Sequence, residues 1–378
     1  MIYLDNSATT RPFDSVIDTM DRCMRENYFN ASAAYKPAVD VDRAMRECRR
    51  AIAAQLGIQE SGVIFTGGGT ESDNLAILGV AETLRQSANF VCSAIEHPAV
   101  AETIHRVEQM GHTVRVLPID VRGVVDLAAC ETVIDEHTAL VSCMQVSNET
   151  GAIQPVEELA KLARRKNPNV RVHVDGVQGF LKVPLEARNC DFYTVSGHKF
   201  HGPKGVGALY VKKGTRFLGG QIGGGQEKNL RSGTTNTPGI MGMDAALQYY
   251  LANQETMWEN MRACKLHLAE NLLALPDVFI NGPAPEEGAP HILNVSFLGV
   301  RGEVLLHALE EKKIYVSTGS ACSAQGKNRI LNAMGVTGER QEGAIRFSFS
   351  AFNTPGEMDE TAAAIADLLG LLRRFKRR

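Results

Sequence analysis

Short apolar runs alternate with longer amphipathic segments between about residues 60 and 212. The apolar runs predicted to form strands cover residues 63–66, 90–94, 113–117, 139–146, 170–175, 192–196 and 206–211. Residues 71–86, 98–110 and 155–165, which lie between these runs, have the periodicity of amphipathic helices. This alternation predicts an α/β fold with a mostly parallel, seven-stranded sheet that helices cover on both faces. Ligands of such sheets bind beyond the carboxyl ends of the strands.

A second α/β unit follows a glycine-rich stretch at residues 219–225 and a long helical pattern at residues 239–275. Its predicted strands cover residues 292–297, 314–317 and 345–350. We therefore expect two domains, which the chain length also favours. The large domain is predicted to span residues 15–250, and the small domain residues 1–14 and 251–378.

Composition and charge argue against several classes of partner. A formal net charge of −3 over 378 residues provides no positive field for nucleic acid. No apolar run approaches the ~18 residues that a membrane span needs, and the opening residues do not resemble a signal peptide. The eight cysteines form no CxxC pair, which argues against a disulfide framework and a protein-built zinc site. We therefore expect a cytoplasmic protein with reduced thiols, no metal site, no direct nucleic-acid binding and no membrane association.

One cysteine, Cys322, lies in a run of small and polar residues, Val316-Ser317-Thr318-Gly319-Ser320-Ala321-Cys322-Ser323-Ala324-Gln325-Gly326. Small neighbours leave a thiol uncovered, and the two glycines allow the backbone to move. A thiolate in such a segment is able to reach a substrate and accept an atom from it. The alternative is an incidental surface cysteine. Most other cysteines, such as Cys92 and Cys143, lie in apolar patterns and are predicted to be buried.

Lys199 follows closely on the predicted strand at residues 192–196, where it would face the ligand crevice. Partial desolvation there would lower its pKa and make it a nucleophilic amine that forms a Schiff base. Asp175 ends another strand, and an acid opposite the ring nitrogen is what pyridoxal phosphate requires. Gln178 lies three residues further on and would reach the phenolic oxygen of that cofactor. The alternatives are a solvated loop lysine and a carboxylate that caps a turn.

A glycine-rich turn, Thr66-Gly67-Gly68-Gly69-Thr70-Glu71, joins a predicted strand to a predicted helix. Backbone N–H groups at a helix N-terminus favour an anion, so the turn is a candidate phosphate site. It lacks the Gly-Lys-Ser/Thr of a P-loop and the GxGxxG of a dinucleotide turn. Ser196 and His198 would add hydrogen-bond donors, and the set suits a cofactor with a single phosphate. Turns of this kind are common, so the signal alone is weakly specific.

Three further residues are candidates for contact with the cofactor or the substrate. His97 precedes Pro98 at a predicted helix start, where it would stack on the pyridine ring or serve only to begin the helix. Asn148 ends a buried strand and would face the cofactor and substrate or satisfy the adjacent turn. Arg346 is a lone charge in an apolar strand. It would point to solvent or clamp a substrate carboxylate through two hydrogen bonds.

These residues, in this order, resemble those of cysteine desulfurases in the class V aminotransferase family, the NifS/IscS-like enzymes. The resemblance is most specific at two motifs, Ser196-Gly197-His198-Lys199 and Gly319-Ser320-Ala321-Cys322. Further similar segments are residues 3–10, 68–74, 95–97, 147–151, 173–178 and 231–234, together with Arg346. The resemblance extends from residue 2 to about residue 352.

The resemblance implies a pyridoxal-phosphate-dependent transferase of fold type I, with Lys199, Cys322 and His97 as catalytic residues. It also implies a cofactor-binding set of Gly69, Thr70, His97, Asn148, Asp175, Gln178, Ser196, Gly197, His198, Lys199 and Thr234. Asn148 and Arg346 would bind the substrate, L-cysteine. Thr234 would reach the phosphate in the other subunit, which implies a homodimer.

The activity implied by the resemblance is the conversion of L-cysteine to L-alanine, with a persulfide formed on Cys322 and passed to a sulfur-acceptor protein. Lys199 would take the Cα proton of the substrate, and the Cys322 thiolate would attack its sulfur. The acceptor would be an iron–sulfur scaffold or an enzyme of tRNA or thiamin thiolation. Alternatives on the same fold are selenocysteine lyase, another C–S lyase and an aminotransferase. A catalytically silent binding scaffold is a more remote alternative.

Two features depart from the family pattern. Tyr35 and Ala38 stand where the family usually has a histidine and a glycine. This departure bears on substrate preference or on the shape of the entrance and leaves the core chemistry intact. The stretch that follows Cys322 is also compact, and a shorter segment has less reach. That would narrow the range of sulfur acceptors.

Overall fold

A seven-stranded sheet organises the larger part of the chain in a computed structural model, which describes residues 1–319 and 328–376. In chain order the strands are β1 (Ile2–Tyr3), β2 (Val63–Thr66), β3 (Asn89–Ser93), β4 (Thr113–Leu117), β5 (Thr138–Met144), β6 (Arg171–Asp175), β7 (Phe192–Ser196), β8 (Gly207–Val211), β9 (Val278–Ile280), β10 (Ile292–Phe297), β11 (Ile314–Tyr315) and β12 (Ala344–Ser348). The α-helices are α1 (Asp14–Glu26), α2 (Lys36–Gln55), α3 (Gly69–Ala81), α4 (Pro98–Gln109), α5 (Leu127–Cys130), α6 (Val156–Lys166), α7 (Thr237–Leu273), α8 (Gly302–Glu311), α9 (Arg329–Ala333), α10 (Gly338–Glu342) and α11 (Pro355–Lys376).

The strands of the large sheet follow the order β2-β8-β7-β6-β5-β3-β4. β8 is antiparallel to both of its neighbours, and the other pairings in this sheet are parallel. The predicted mostly parallel sheet is therefore confirmed, and β2, β4 and β7 have the predicted bounds. Helices α3, α4 and α6 occupy the predicted helical segments with slightly different ends.

Both faces of this sheet are buried, because successive side chains of a strand point to opposite faces. Phe90 and Leu140 belong to an apolar cluster that includes residues of α3 and α4. The next residues along the same strands, Val91 and Val141, belong to the main core. The strands therefore have the nearly continuous apolar sequences that are typical of a sheet covered on both sides.

A smaller antiparallel sheet has the order β12-β10-β9. β10 has the predicted bounds, whereas the sequence prediction lacked β9, a strand of three residues. The predicted strand at residues 314–317 is divided, since β11 pairs in parallel with β1 while Ser317 bridges Arg346. Asp5 bridges Ser348, so the first residues of the chain lie beside β12. The domain boundaries given above stay a prediction.

The longest helix, α7, has 37 residues, which corresponds to about 55 Å at 1.5 Å per residue. It packs against α1, α2 and α11, and it has buried residues near both ends. The long helix predicted at residues 239–275 is thus confirmed. In residues 1–319 and 328–376, no helix is both long and apolar enough to cross a membrane.

Candidate active site

A cavity of about 450 Å³ lies at the edge of the large sheet where the parallel strands have their carboxyl ends. Most of the residues predicted to contact the cofactor or the substrate line this cavity: Gly69, Thr70, His97, Asn148, Asp175, Gln178, Ser196, His198, Lys199 and Arg346. They come from the start of α3, from segments at the ends of β3, β5, β6 and β7, and from β12. The structure therefore brings this set together in one place.

Lys199 lies in a short 3-10 turn, Gly197–Lys199, directly after β7. Its Nζ donates hydrogen bonds to the carbonyl oxygens of Ser7 at 2.6 Å and Ala8 at 2.8 Å. The pKa of Lys199 is lowered to about 8, first by burial and then by the charge of Arg346, against the opposing effect of two nearby carboxylates. A larger fraction of neutral amine near neutral pH is what a Schiff-base lysine requires.

Asp175 ends β6, and its side chain is buried. Its Oδ1 accepts the backbone N–H of Val177 at 2.9 Å. Burial, reinforced by the nearby Asp73 carboxylate, raises the pKa of Asp175 to about 6. A cationic N–H group placed beside such a carboxyl would stabilise its ionised form. A protonated pyridine nitrogen is a group of this kind.

A layer of buried polar groups lies behind Asp175, and the sequence analysis missed it. His173, two residues earlier on β6, contacts Ser142 Oγ through Nδ1 at 2.8 Å and Thr194 Oγ1 through Nε2 at 3.2 Å. Asp73 Oδ1 lies 3.3 Å from His173 Nε2 and has no hydrogen bond among the described residues. Burial lowers the pKa of His173 to about 4 and raises that of Asp73 to about 7. The His173 ring is therefore neutral at physiological pH.

His97 is the N-cap residue of α4, and Pro98 is the first residue of that helix. Its Nδ1 accepts the backbone N–H of Ala99 at 3.1 Å, so the proton of the neutral ring lies on Nε2. Burial lowers the pKa of His97, which favours the neutral imidazole. The ring both caps the helix and lines the cavity, so the two interpretations of this residue are compatible.

The predicted phosphate turn lies between β2 and α3, and Gly69 is the first residue of the helix. A Cβ atom at Gly69 would lie 2.8 Å from Val177 Cγ2, so this close approach requires glycine. Gly69, Thr70, Ser196 and His198 line both the 450 Å³ cavity and an adjoining cavity of about 840 Å³. The junction of the two cavities thus has a helix N-terminus and polar side chains, which suit a phosphate group.

The N-terminal segment forms one wall of the cavity, a position that the apolar pattern did not predict. Asp5 and Ser7 line the cavity. Gln178 Nε2 donates to the carbonyl oxygen of Ser7 at 2.8 Å, and His198 Nδ1 lies 3.1 Å from Thr9 Oγ1. The pairing of β1 with β11 holds the segment there. A short polar run has no periodicity that would reveal such a long-range contact.

Arg346 lies on β12, and its side chain is only 6% exposed. Its Nη1 donates to Asn148 O and to Glu149 Oε1, both at 3.1 Å. Its Nη2 donates to Asp5 Oδ1 at 2.9 Å. The guanidinium therefore lies at the cavity, and the alternative of a solvent-facing arginine is wrong. The sequence analysis also missed Glu149, which lines the cavity as well.

Unpartnered polar atoms in the cavity indicate a polar ligand. Among the described residues, Ser7 Oγ, Asn148 Oδ1 and Arg346 Nε are buried without a hydrogen bond, and all three residues line the cavity. Buried polar groups are nearly always satisfied, so a ligand with several donors and acceptors is expected. The phosphate turn, the acid Asp175 and the amine of Lys199 fit pyridoxal phosphate, and Arg346 fits a carboxylate.

Two of the predicted cofactor-binding residues lie outside the lining of this cavity. Gly197 is buried in the turn before Lys199. Thr234 is exposed, and the lining residues given for the cavity do not include it. Tyr35, the departure from the family pattern, is the N-cap residue of α2 and is 53% exposed. Its predicted effect on the entrance stays a prediction.

Cys322 lies outside the described residues, and the part of the chain described just before it, up to Gly319, contributes to the cavity wall. Ser317 and Gly319 both line the cavity. Gly319 has a φ of +74°, and a Cβ atom there would overlap Glu149 Oε2. Both the backbone conformation and the lack of space therefore require glycine at the start of the cysteine-bearing segment.

The described cysteines are buried and unpaired: Cys23, Cys48, Cys92, Cys130, Cys143, Cys190 and Cys264. The prediction that most cysteines are small buried residues is thus confirmed. Burial raises the pKa of the Cys92 thiol to about 12 and that of Cys130 to about 11. Because the thiolate is the nucleophile, none of these seven thiols is suited to accept a sulfur atom.

Comparison with known proteins points to one family. Residues 2–360 match the protein family described as Aminotransferase class-V. A cysteine desulfurase from Nostoc sp. is 36% identical over 378 residues, which cover 99% of this chain and 94% of the relative. A cysteine desulfurase IscS from Methanosarcina thermophila is 37% identical over 379 residues, which cover 99% of this chain and 93% of the relative.

Solved structures agree with these relatives. One described as a NifS-like protein has a TM-score of 0.92 at 38% identity, and the match covers 98% of this chain and 99% of the other. The predicted fold class and the predicted resemblance are both confirmed. The chain belongs to the class V aminotransferase family.

Proposed function

We propose that the protein is a pyridoxal-phosphate-dependent cysteine desulfurase, which converts L-cysteine to L-alanine and leaves a persulfide on Cys322. One observation carries the proposal: Lys199, Asp175 and Arg346 line the same cavity, and Gly319, three residues before Cys322, lies in its wall. An amine, an acid, a carboxylate clamp and a thiol-bearing segment are the groups that this reaction needs. Relatives that match nearly the whole chain have the same activity in their names.

Each of these side chains has a task in the reaction. Pyridoxal phosphate, when bound, supplies an electron sink for negative charge that develops at the substrate Cα. Asp175 keeps the ring nitrogen of the cofactor protonated, and Arg346 binds the substrate carboxylate. Lys199 Nζ takes the proton from Cα, and its lowered pKa favours the neutral amine that accepts it. Burial lowers the pKa of His97, and this neutral ring, which lines the cavity, would contact the ring of the bound cofactor.

Cys322 accepts the sulfur atom of the substrate. Its thiolate attacks the substrate sulfur, the C–S bond breaks, and a new S–S bond forms on the enzyme. The carbon that loses sulfur gains a proton, so the products are alanine and a persulfide, and no external oxidant or reductant is consumed. A second thiol then takes the outer sulfur and restores Cys322.

We infer that this second thiol belongs to a sulfur-acceptor protein and that the enzyme is a homodimer. The acceptor classes expected are an iron–sulfur scaffold and the enzymes of tRNA or cofactor thiolation. Exposure of Thr234 away from the cavity of its own chain supports a role at the phosphate site of a second copy. The cytoplasmic location stays a prediction.

The Cys322→Ser variant tests the proposal. We expect purified Cys322→Ser to retain the visible absorbance of the bound cofactor and to release no sulfide from L-cysteine in the presence of a thiol reductant. Wild-type protein treated with L-cysteine alone should gain one sulfur atom on the peptide that contains Cys322, as measured by mass spectrometry after alkylation. Alanine should appear in an amount equal to the sulfide released.

A matched control is Cys23→Ser, which changes a buried thiol that donates to Asn27 O at 3.8 Å. A serine there can keep that contact, so desulfuration should survive. Sulfide release by Cys322→Ser at the wild-type rate would refute the assignment of the cysteine. Turnover of selenocysteine without turnover of cysteine, or transfer of the amino group to a keto acid, would favour the alternative activities on the same fold.

A further inference from the structure

The substrate-binding arginine is already engaged by two carboxylates of the protein. Arg346 Nη1 donates to Glu149 Oε1 at 3.1 Å, and Nη2 donates to Asp5 Oδ1 at 2.9 Å. All three side chains line the cavity. A substrate carboxylate would compete with both protein carboxylates for the donors of a single guanidinium, and repulsion between charged carboxylates is strong in a site of low dielectric constant. Burial raises the pKa of Glu149 and so favours its neutral form, whereas displacement of Asp5 would remove the other charge.

Glu149 is the carboxylate that is fixed. Its side chain is only 5% exposed. Oε1 also accepts from Asn148 Nδ2 at 3.1 Å, and Oε2 accepts from Asn328 Nδ2 at 3.4 Å. Gly319 packs directly against Oε2. Removing this carboxylate from Arg346 would break several buried contacts at once.

Asp5 is the carboxylate that is free to move. Its side chain is 25% exposed, five times the exposure of Glu149. The hydrogen bond described for its carboxylate is the one to Arg346. Rotation toward water would therefore cost Asp5 little besides that bond, whose energy the incoming ligand restores to the arginine.

Asp5 accepts a hydrogen bond from Nη2, and Nη2 and Nε form a paired edge of the guanidinium. The Nε–H and one N–H of Nη2 point in the same direction in a planar guanidinium, and together they bind a carboxylate through two parallel hydrogen bonds. Arg346 Nε is buried and has no partner among the described residues, whereas Nη2 is bonded to Asp5. Departure of Asp5 would leave both nitrogens of this edge without a protein partner and available to an incoming carboxylate.

We propose that Asp5 is a competing anion that holds Arg346 in the free site and is displaced by the carboxylate of the substrate. The inference rests on the proposed function, since it takes an amino acid with a free α-carboxylate as the ligand. Asp5 thereby weakens the binding of every carboxylate by a constant factor. Only a ligand that also gains contacts elsewhere in the cavity binds well.

The test compares Asp5→Asn with the wild-type holoenzyme for two probes that undergo no desulfuration by the proposed route. Propionate has a carboxylate and no amine or thiol, and cysteamine has an amine and a thiol but no carboxylate. Without the competing anion, the Kd of propionate from isothermal titration calorimetry should fall roughly three- to tenfold. The KM of L-cysteine should fall by a similar factor, and the Kd of cysteamine, which has no carboxylate, should change by a smaller factor than that of propionate.

Two controls accompany the measurement. Asp14→Asn removes an exposed carboxylate that pairs with Arg11 on the surface, so it changes the net charge equally and should leave the Kd of propionate as it is. Asp5→Ser removes the charge with a smaller side chain and should reproduce the effect of Asp5→Asn if that variant folds poorly.

An unchanged or larger Kd of propionate in both Asp5 variants would overturn the inference, as would an equal shift for cysteamine. Propionate binding does not depend on turnover. A tighter propionate complex in a protein that fails to desulfurate cysteine would therefore sustain the role of Asp5 and reject the proposed function. The converse result would reject the role of Asp5 alone.

Discussion

Asp175 and Lys199, two ionisable groups of the cavity, have pKa values that are shifted chiefly by burial. Burial raises the pKa of Asp175 and lowers that of Lys199, so it drives both toward their neutral forms. The negative charge of Asp175 opposes part of this shift at Lys199. The protonation states of Asp175 and Lys199 near neutral pH therefore depend on a balance between desolvation and local charge. The same balance controls proton transfer at Lys199.

This balance predicts how the protein takes up its cofactor. Attachment of pyridoxal phosphate to the cofactor-free protein should become faster as pH rises through about 8 and then level off. Only the neutral amine of Lys199 is nucleophilic, and an ordinary lysine reaches half neutralisation only at about pH 10.4. Because the pKa of Lys199 is lowered, this increase in rate occurs at a lower pH than it would for an ordinary lysine. Stopped-flow recording of the visible absorbance change across the neutral and alkaline range measures it.

A simple alkylamine mixed with the cofactor in the same buffers is the control, because it reports the ionisation of the cofactor alone. Asp5→Asn is a matched variant. The charge of Asp5 raises the pKa of Lys199. Removing that charge in Asp5→Asn should therefore move the midpoint of the rate–pH curve to lower pH. A midpoint at the value of the free alkylamine would contradict the buried environment described for Lys199.

Local sequence patterns were sufficient for the strands that hold Lys199 and Asp175. β7 has the predicted bounds, and β6 ends at Asp175 as predicted. Each strand is buried over nearly its whole length, because a strand in the middle of this sheet is covered on both faces. The carboxyl end of such a strand faces the ligand crevice, so the position of these residues is predictable from the strand alone.

Local sequence patterns do not predict the opposite wall of the cavity, because that wall is formed by pairing between segments that are far apart in the chain. Asp5 reaches Arg346 only since β1 pairs with β11 and residue 5 bridges Ser348. A strand of two residues such as β1 has no periodicity to recognise. Glu149 escaped notice for a different reason: a charged residue in a turn is typically exposed, and this one is buried against Arg346.

A separate prediction concerns Gly69, the first residue of α3, where there is no room for a side chain. Gly69→Ala would place a Cβ atom 2.8 Å from Val177 Cγ2, so the start of the helix would have to move. We expect roughly 10- to 100-fold weaker binding of pyridoxal phosphate, equivalent to one lost hydrogen bond to a charged group. Titration of the cofactor-free protein, followed by absorbance, gives the Kd.

Gly356→Ala is the matched control, since Gly356 is the second residue of α11 and has nothing within 4 Å of its Cβ position. This variant should keep the wild-type Kd of the cofactor and gain up to about 1 kcal/mol in the free energy of unfolding, because alanine loses less entropy in a helix. Wild-type cofactor affinity in Gly69→Ala would show that the turn is not the phosphate site.

The cavity draws on residues from distant parts of one chain, and the proposed homodimer would add one from a second chain. Lys199 and Asp175 come from the large sheet, and Arg346 comes from the small one. Thr234, by contrast, is exposed. If Thr234 binds the phosphate in the other copy, Thr234→Ala should weaken cofactor binding roughly 10- to 100-fold, the loss of one hydrogen bond to a charged group.

Mixed dimers of Lys199→Ala and Thr234→Ala chains, purified with two different tags, separate action between copies from action within one chain. The Thr234→Ala chain keeps its own Lys199 and receives Thr234 from its partner. One site per dimer should therefore regain wild-type cofactor affinity, and half the wild-type activity should return. If Thr234 serves its own chain, neither site is complete, and no activity beyond that of Thr234→Ala returns.

The reciprocal dimer pairs a wild-type chain with a chain that has both substitutions. Its only Lys199 lies in the wild-type chain, and that site lacks Thr234 if the threonine comes from the partner. Cofactor binding in this dimer should then be as weak as in Thr234→Ala, although one whole chain is unchanged. Full affinity there, together with no recovery in the first mixture, would place Thr234 at the site of its own chain and remove the argument for a shared site.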